Sequence, residues 1–278
     1  MSEPVSFDPR VVLRPRSLDE VLDLAMAYAR EHKRDFGRMI VALVVPAMLL
    51  TVAAKLALEL SWIQTWVLVL TLTPLLERAV ITYAGRHLFG NTPRIRTAVA
   101  GALRRPFSAL TAALLIPVPF TILLLGELDE AAIAFSIMVG MFWPFALAWS
   151  IYLSIVLNLE GLPLSKGMRR SGLLVSYRFG RALGFVLTTS VMRLVAVLMG
   201  DLILQFVVGF VFQLGEPFDT LFENKGSWAS FAAYYLMAPY VGVARLFDYV
   251  DARTRLEGWD IQVRFKALAT QAKERRAA

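Results

Sequence analysis

Charges that fall inside apolar stretches are the first place to look for chemistry. Glu77, Arg78, Arg193 and Asp201 all sit among Leu, Val, Ile and Phe. A charge taken into hydrocarbon is costly, so such residues often mark a transport path or a buried ion pair. Arg193 and Asp201 are eight residues apart, which on one helix separates them by about 80° and about 12 Å, too far for a direct pair. Glu77 and Arg78 lie near the inner end of their stretch, where a long side chain can also snorkel to water. A second group, Asp251, Arg253, Arg255, Glu257 and Asp260, follows the last apolar stretch. Mixed charge of that density can lock a turn through ion pairs or meet anionic headgroups. With Trp259, Ile261, Val263 and Phe265 beside it, it can also dock a partner. Arg169 and Arg170 offer the same basic chemistry one connection earlier.

Catalytic patterns are missing. There is no Gly-x-x-x-x-Gly-Lys phosphate loop, no Gly-x-Ser-x-Gly elbow and no His-Glu-x-x-His. Cysteine is absent, which rules out disulfides, thiol catalysis and cysteine-ligated metal. The two histidines, His32 and His87, have no second ligand at metal spacing and read as structural or solvated. Gly200-Asp201 falls short of the Gly-x-Gly-Asp signature of intramembrane aspartyl proteases, because Leu198 stands where glycine is required. The expectation is a protein without catalytic residues, metal or cofactor.

The elements that must position these charges follow from composition. Of 278 residues, 57% are hydrophobic and 18% charged, and mean hydropathy is +0.58. A soluble domain carries about 25% charged residues. Too little polar surface remains to cover a globule in water, so the fold class is all-α and polytopic in a membrane. Stretches able to cross about 30 Å of hydrocarbon fall at 39–58, 62–84, 107–126, 131–158, 182–214 and 226–247. Each is predicted as a helix, because backbone amides in lipid must bond within their own segment. The first 38 residues contain no early apolar stretch, so the first span is expected to persist as an anchor.

The net charge of +7 would suggest nucleic acid in a soluble protein; here it reads as basic loops on one side of a bilayer. Of the 29 Lys and Arg residues, only Lys55 and Lys225 fall on the opposite side, and Arg193 lies within span 5. The opposite loops carry Glu127, Asp129, Glu130, Glu216, Asp219 and Glu223. The positive-inside rule then places both termini in the cytoplasm, with residues 259–278 as a cytoplasmic tail. Trp62, Trp66 and Trp228 start their spans at the outer interface, whereas Trp143 and Trp149 are expected to pack within the bundle. Pro46, Pro74, Pro117, Pro119, Pro144 and Pro239 interrupt five spans, either as breaks around a transport path or as ordinary kinks.

Residues 182–214 would make about 50 Å of helix against about 30 Å of hydrocarbon. One placement has 182–201 crossing, with Arg193 near the middle and Asp201 at the outer edge. The other has 194–214 crossing with Arg193 at the inner interface, and it is preferred because it avoids a central arginine.

The inner-face segments share a design. Ser17 and Glu20 predict a capping box ahead of the stripe Leu18, Val21, Leu22, Ala25 and Tyr28. Thr92-Pro93 starts a helix carrying Ile95, Ala98, Val99, Ala102 and Leu103. Pro163 precedes Leu164, Met168 and Val175. Such helices are expected in the membrane interface, apolar face down. Basic-aromatic clusters at Arg34-Asp35-Phe36, Arg105-Pro106-Phe107 and Arg178-Phe179 open the next spans. Leu88-Phe89-Gly90, Leu159-Glu160-Gly161 and Leu256-Glu257-Gly258 close the return spans. The reading is three copies of one unit over about 15–89, 90–161 and 162–258, within a single membrane domain.

Tyr249-Val250-Asp251-Ala252-Arg253-Thr254-Arg255-Leu256-Glu257-Gly258-Trp259-Asp260 resembles the Tyr-x-Asp-x-Arg-x-Arg-x-Glu-Gly-x-Asp pattern after the last span of a bacterial membrane family. That family is similar to the membrane domain fused to some glycerophosphodiester phosphodiesterases. Leu159-Glu160-Gly161 with Arg169-Arg170-Ser171, and the segment from Arg14 to Asp23, resemble its other inner-face motifs. The resemblance implies a six-helix bacterial inner-membrane protein and no activity, since the phosphodiesterase chemistry belongs to a separate soluble domain. Two functions stay open. One is a non-enzymatic scaffold or accessory subunit presenting its basic face to a protein partner or the anionic inner leaflet, with no nucleic acid involved. The other is a small transporter or lipid-handling protein using the buried charges.

Overall fold

The computed structural model describes residues 14–88, 94–103, 130–214 and 219–258; the side chains of 102–103 and 130–139 lie outside that description. Every regular element among the described residues is a helix. Helix α1 (Leu18–Glu31) opens with the capping box expected from its sequence. The Glu20 amide donates to Ser17 Oγ at 3.4 Å and the Ser17 amide donates to Glu20 Oε2 at 3.0 Å. Its stripe does not face lipid. Val21, Ala25 and Tyr28 are buried against the last long helix and the one before it.

Helix α2 (Lys33–Ala57) widens into a π-turn over Ile40–Val44, where the Val45 amide donates to the Ile40 carbonyl five residues back. Pro46 follows at once, and its missing N–H and bulky ring disfavour an ordinary turn there. Helix α3 (Trp62–Leu88) begins with a second reciprocal cap. The Ser61 amide donates to Gln64 Oε1 at 2.8 Å and the Gln64 amide to Ser61 Oγ at 3.3 Å. Helix α4 (Ile95–Leu103) packs on α3.

Helix α5 covers 130–160, with Glu130–Ser150 followed by a turn, Leu153–Ile155, and a π-turn Val156–Glu160. Helix α6 (Leu164–Ser176) leads into α7 (Phe179–Val211). A single turn, Leu221–Asn224, precedes α8 (Trp228–Glu257), whose Ser227 cap accepts from the Ser230 amide at 3.1 Å. Gly161 and Gly258 end α5 and α8 at φ 72° and 58°, left-handed values that glycine adopts without steric cost. Gly90, expected from the sequence to close the second span, lies outside the described residues.

Four helical stretches are long and apolar enough to cross a membrane: Lys33–Ala57, Trp62–Leu88, Gly140–Glu160 and Phe179–Val211. The expected third span, 107–126, falls outside the described residues. The expected sixth is the 30-residue α8, and it is not among the four. Its Tyr, Ser, Arg and Asp residues lower its hydropathy, and packing explains why they are tolerated. Helix α8 is the axis of the fold, touching α3, α7 and α1 along its length. Small residues let these helices close on each other. A Cβ at Gly200 of α7 would come within 2.7 Å of Ala233 Cβ, and one at Gly242 of α8 within 3.2 Å of the Glu77 carbonyl.

Helix α7 turns Leu187, Val191, Leu194 and Val195 outward, a surface suited to lipid. Pro74, Pro144 and Pro239 lie inside continuous helix, so none of them marks an unwound break. Pro117 and Pro119 are outside the described residues. Trp149 departs from expectation. The residue is 53% exposed, its ring beside Phe179 and over Gly172, because position 149 faces outward on α5. At the other end of the bundle, Trp62 and Trp228 meet at 5.1 Å, Trp66 packs on Phe231 at 4.7 Å, and Lys55 Nζ lies 4.0 Å over the Trp62 ring.

Candidate functional site

Helix α8 carries the charges, and its periodicity sorts them. Asp248, Asp251 and Arg255 follow one another at steps of three and four and share one face. Tyr249, Arg253 and Glu257, at steps of four, share the next face, about 100° round. Further along the same helix toward its N-terminal end lies Arg245. Three groups of polar contacts result.

The first is buried between α3, α7 and α8. Glu77 is held by two arginines: Arg193 of α7 bonds Oε1, and Arg245 Nη1 approaches Oε2 at 2.8 Å. Arg193 also donates to the Tyr234 hydroxyl at 3.2 Å, with its guanidinium 5.1 Å from the centre of that ring. Each partner comes from a different helix, so the group can exist only when all three are docked. The structure thus brings two of the four sequence-selected membrane charges together. Arg78 is buried on the neighbouring face of α3. Asp201 stands apart, accepting from Gln205 Nε2 at 2.7 Å and from the Leu221 amide at 3.2 Å. It ties the end of α7 to the chain entering α8.

The second group fastens the N-terminal chain. Asp251 accepts from the Arg16 amide at 2.6 Å and from Arg178 Nη1 at 2.5 Å, with Arg255 Nε at 3.2 Å and Arg181 Nη2 at 3.3 Å. One turn away, Asp248 accepts from the Tyr152 hydroxyl at 2.6 Å and from Arg181 Nε at 2.8 Å. Arg181 and Arg255 also donate to the Arg16 carbonyl at 2.6 Å and 2.8 Å. Burial works against the Asp251 carboxylate, yet the Arg16 amide and the arginines around it hold its pKa below the ordinary aspartate value.

The third group joins α5, α6 and α8. Glu160 accepts from the Tyr249 hydroxyl and, at 3.3 Å, from Arg170 Nε. Glu257 accepts from Arg253 Nε at 2.9 Å and pairs with Arg170. Five of the seven inner-face candidates, Arg170, Asp251, Arg253, Arg255 and Glu257, are therefore bound up in contacts within the chain. Arg169 turns the other way and is exposed, as is Lys166. Asp260 lies outside the described residues.

No family model matches the chain, and neither the curated proteins nor the solved structures yield a similar one. What the site does must be argued from its geometry.

Several participants were not selected from sequence. Arg245 lies within the expected sixth span and three residues before Asp248, the only visible signal for it. Arg178 and Glu160 stood out only as parts of repeated junctions. The histidines gave no signal at all. His32 and His87, 55 residues apart in sequence, bring their rings to 4.6 Å edge-to-face, and the Tyr28 hydroxyl bonds His87 Nδ1 at 2.8 Å. They form an aromatic joint between α1, α2 and α3. No group of three or more metal-binding side chains occurs among the described residues.

Proposed function

We propose that this chain is a non-enzymatic bacterial inner-membrane protein, a scaffold or accessory subunit whose basic cytoplasmic face meets a protein partner or anionic lipid. The observation that carries the reading is helix α6. Gly167, Ser171, Leu174 and Val175 anchor it to the bundle, while Lys166 and Arg169 stand exposed beside exposed Leu164, Met168 and Leu173. Bases next to apolar side chains on an anchored helix suit a negatively charged headgroup surface. The 251–257 motif is spent on internal pairs, so it serves to hold this face together, and the free bases around it make the contact.

In this reading α8 crosses the membrane as the protein-wrapped sixth span, and both termini face the cytoplasm. The recurring order of short helix, long helix, long helix in α1–α3 and α6–α8 supports the three-unit reading, as does the resemblance over 249–260. Contacts within the bundle favour the placement of span 5 that has 182–201 crossing. Arg181 pairs at the inner end of α8 while Gly200 packs at its outer start, and a central Arg193 is tolerable because Glu77 meets it. The absence of cysteine permits a direct check. In spheroplasts, a membrane-impermeant thiol reagent should label Glu223→Cys at once and Arg169→Cys only after permeabilisation. Labelling of both from the same side would overturn the topology.

The functional test is the pair Lys166→Glu with Arg169→Glu, purified in mild detergent beside wild type. Protein or anionic lipid that comes with wild type should be lost from the double variant while its unfolding temperature stays unchanged. Retention of both would sink the surface reading. The buried Arg193–Glu77–Arg245 group favours the second reading, a lipid-handling or transport role, because ionic groups inside a bilayer are functional candidates by default.

A further inference from the structure

We infer that helix α6 and the adjoining face of α5 form a binding site for an anionic phospholipid of the inner leaflet, with the headgroup phosphate at Lys166 and Arg169. The inference deepens the basic-face reading and rests on it and on its topology. It commits that face to lipid, where the reading also admits a protein.

The geometry starts with how α6 is seated. Gly167 lies against Leu157 and Leu153, and a Cβ at Gly172 would stand 3.5 Å from the Trp149 ring. Helix α6 therefore folds back antiparallel along the end of α5. Arg170 turns inward and joins Glu160 at 3.3 Å and Glu257, the last residue of α8. That contact fixes the first half of α6 at the inner end of the bundle, the level of the headgroups in this topology. Lys166, Arg169 and Leu173 follow at steps of three and four, so they share a face, and all three are exposed. Gly167, Ser171 and Leu174 form the flank turned into the bundle.

Charge on this face calls for an anion. Lys166 stands in the first turn of α6, where the helix dipole disfavours a base, and that turn holds neither an acid nor a side-chain cap to offset it. An ammonium and a guanidinium one turn apart then share one exposed patch, and phosphate oxygens supply acceptors to both.

The apolar continuation selects a lipid. Arg169 is about one turn from Gly172, the residue beneath Trp149. From Trp149, an exposed apolar face carries on along α5 through Phe145 and Phe142, at steps of four and three. In this topology that direction leads from the headgroups toward the acyl chains. Trp149 at the join is an amphipathic ring of the kind that settles at the membrane boundary. A phospholipid matches the basic end and the apolar length together, while an acidic peptide matches only the bases.

The full chain in mild detergent can be titrated with phosphatidylglycerol or phosphatidylcholine carrying brominated chains, reading tryptophan quenching, with native mass spectrometry counting retained lipid. Phosphatidylglycerol should quench and stay bound at concentrations where phosphatidylcholine does neither, and Trp149→Phe should remove the greater part of the quenching. Lys166→Gln with Arg169→Gln should weaken phosphatidylglycerol binding about thirtyfold, the worth of two bases beside an anionic headgroup. Lys33→Gln with Arg34→Gln, at two exposed bases of α2, should leave it intact. If the double α6 variant does not fold, Arg169→Gln alone should show a loss of about fivefold. Equal binding of the two lipids, undiminished binding in the α6 variant, the same loss in the α2 variant, or quenching untouched by Trp149→Phe would overturn the site. Should the lipid preference be absent while a co-purifying protein is lost from the α6 variant, the site falls and the basic-face reading stands. An α6 variant that loses neither lipid nor protein would bring down both.

Discussion

Glu77→Ala should be the most damaging single substitution in the bundle, costing about 3–5 kcal/mol, the range for removing one partner of a buried ion pair. Glu77 is fully enclosed and is the carboxylate shared by Arg193 and Arg245. Removing it leaves two guanidiniums facing each other across a low-dielectric junction, so their desolvation is no longer offset. Thermal unfolding in detergent and the yield of monodisperse protein measure the loss. The triple replacement of Glu77, Arg193 and Arg245 by methionine should recover most of it, because apolar side chains of similar volume often substitute for a buried ionic group at little cost. A Glu77→Ala protein as stable as wild type would show that the three helices are held without this group.

The second large effect is expected at Asp251. Asp251→Ala removes the acceptor that collects the Arg16 amide, Arg178, Arg181 and Arg255. The cost should be about 3 kcal/mol, within the range for stranding a buried charge, and the chain ahead of α1 should come free. Trypsin should then cut after Arg16 much faster than in wild type, where that residue enters a helix docked on α8. An unchanged cleavage rate would show that the stripe of α1 holds the N-terminal chain without the carboxylate. Acidity offers a second readout. The folded pKa of Asp251 is depressed, so its contribution is fully present above the unfolded aspartate value of about 4 and fades as pH falls through the folded value. Wild type should lose stability below about pH 4 from this group. Asp251→Asn, which has no proton to gain there, should lose less over the same window.

Much of the scaffold could be read from local pattern. The Ser17–Glu20 box, the span starting at Trp62, the helix after Pro163 and the glycines at 161 and 258 each depend on residues within one or two turns, where steric and hydrogen-bonding rules act directly. The 251–257 motif was legible as a set of ion pairs for the same reason, since steps of three and four define a helix face. Its main partners were not. Asp251 reaches back 235 residues to the Arg16 amide, and no spacing rule spans that distance.

Sequence alone therefore determined that the chain is helical and built for a membrane, because apolar length, charge asymmetry and caps are properties of contiguous residues. Only the tertiary structure decided that α8 is the axis. A helix wrapped by others is freed from the need to be apolar all round, so α8 reads as an apolar stretch over 226–247 yet is not among the four most apolar helices. Tertiary structure also decided that Glu77 sits between Arg193 and Arg245, that His32 meets His87, and that Asp201 pairs with neither arginine. Those outcomes depend on how each helix is rotated and how closely Gly200 and Gly242 let its neighbours approach. Rotation and closeness are set by the packing of whole surfaces, a quantity that no single segment contains.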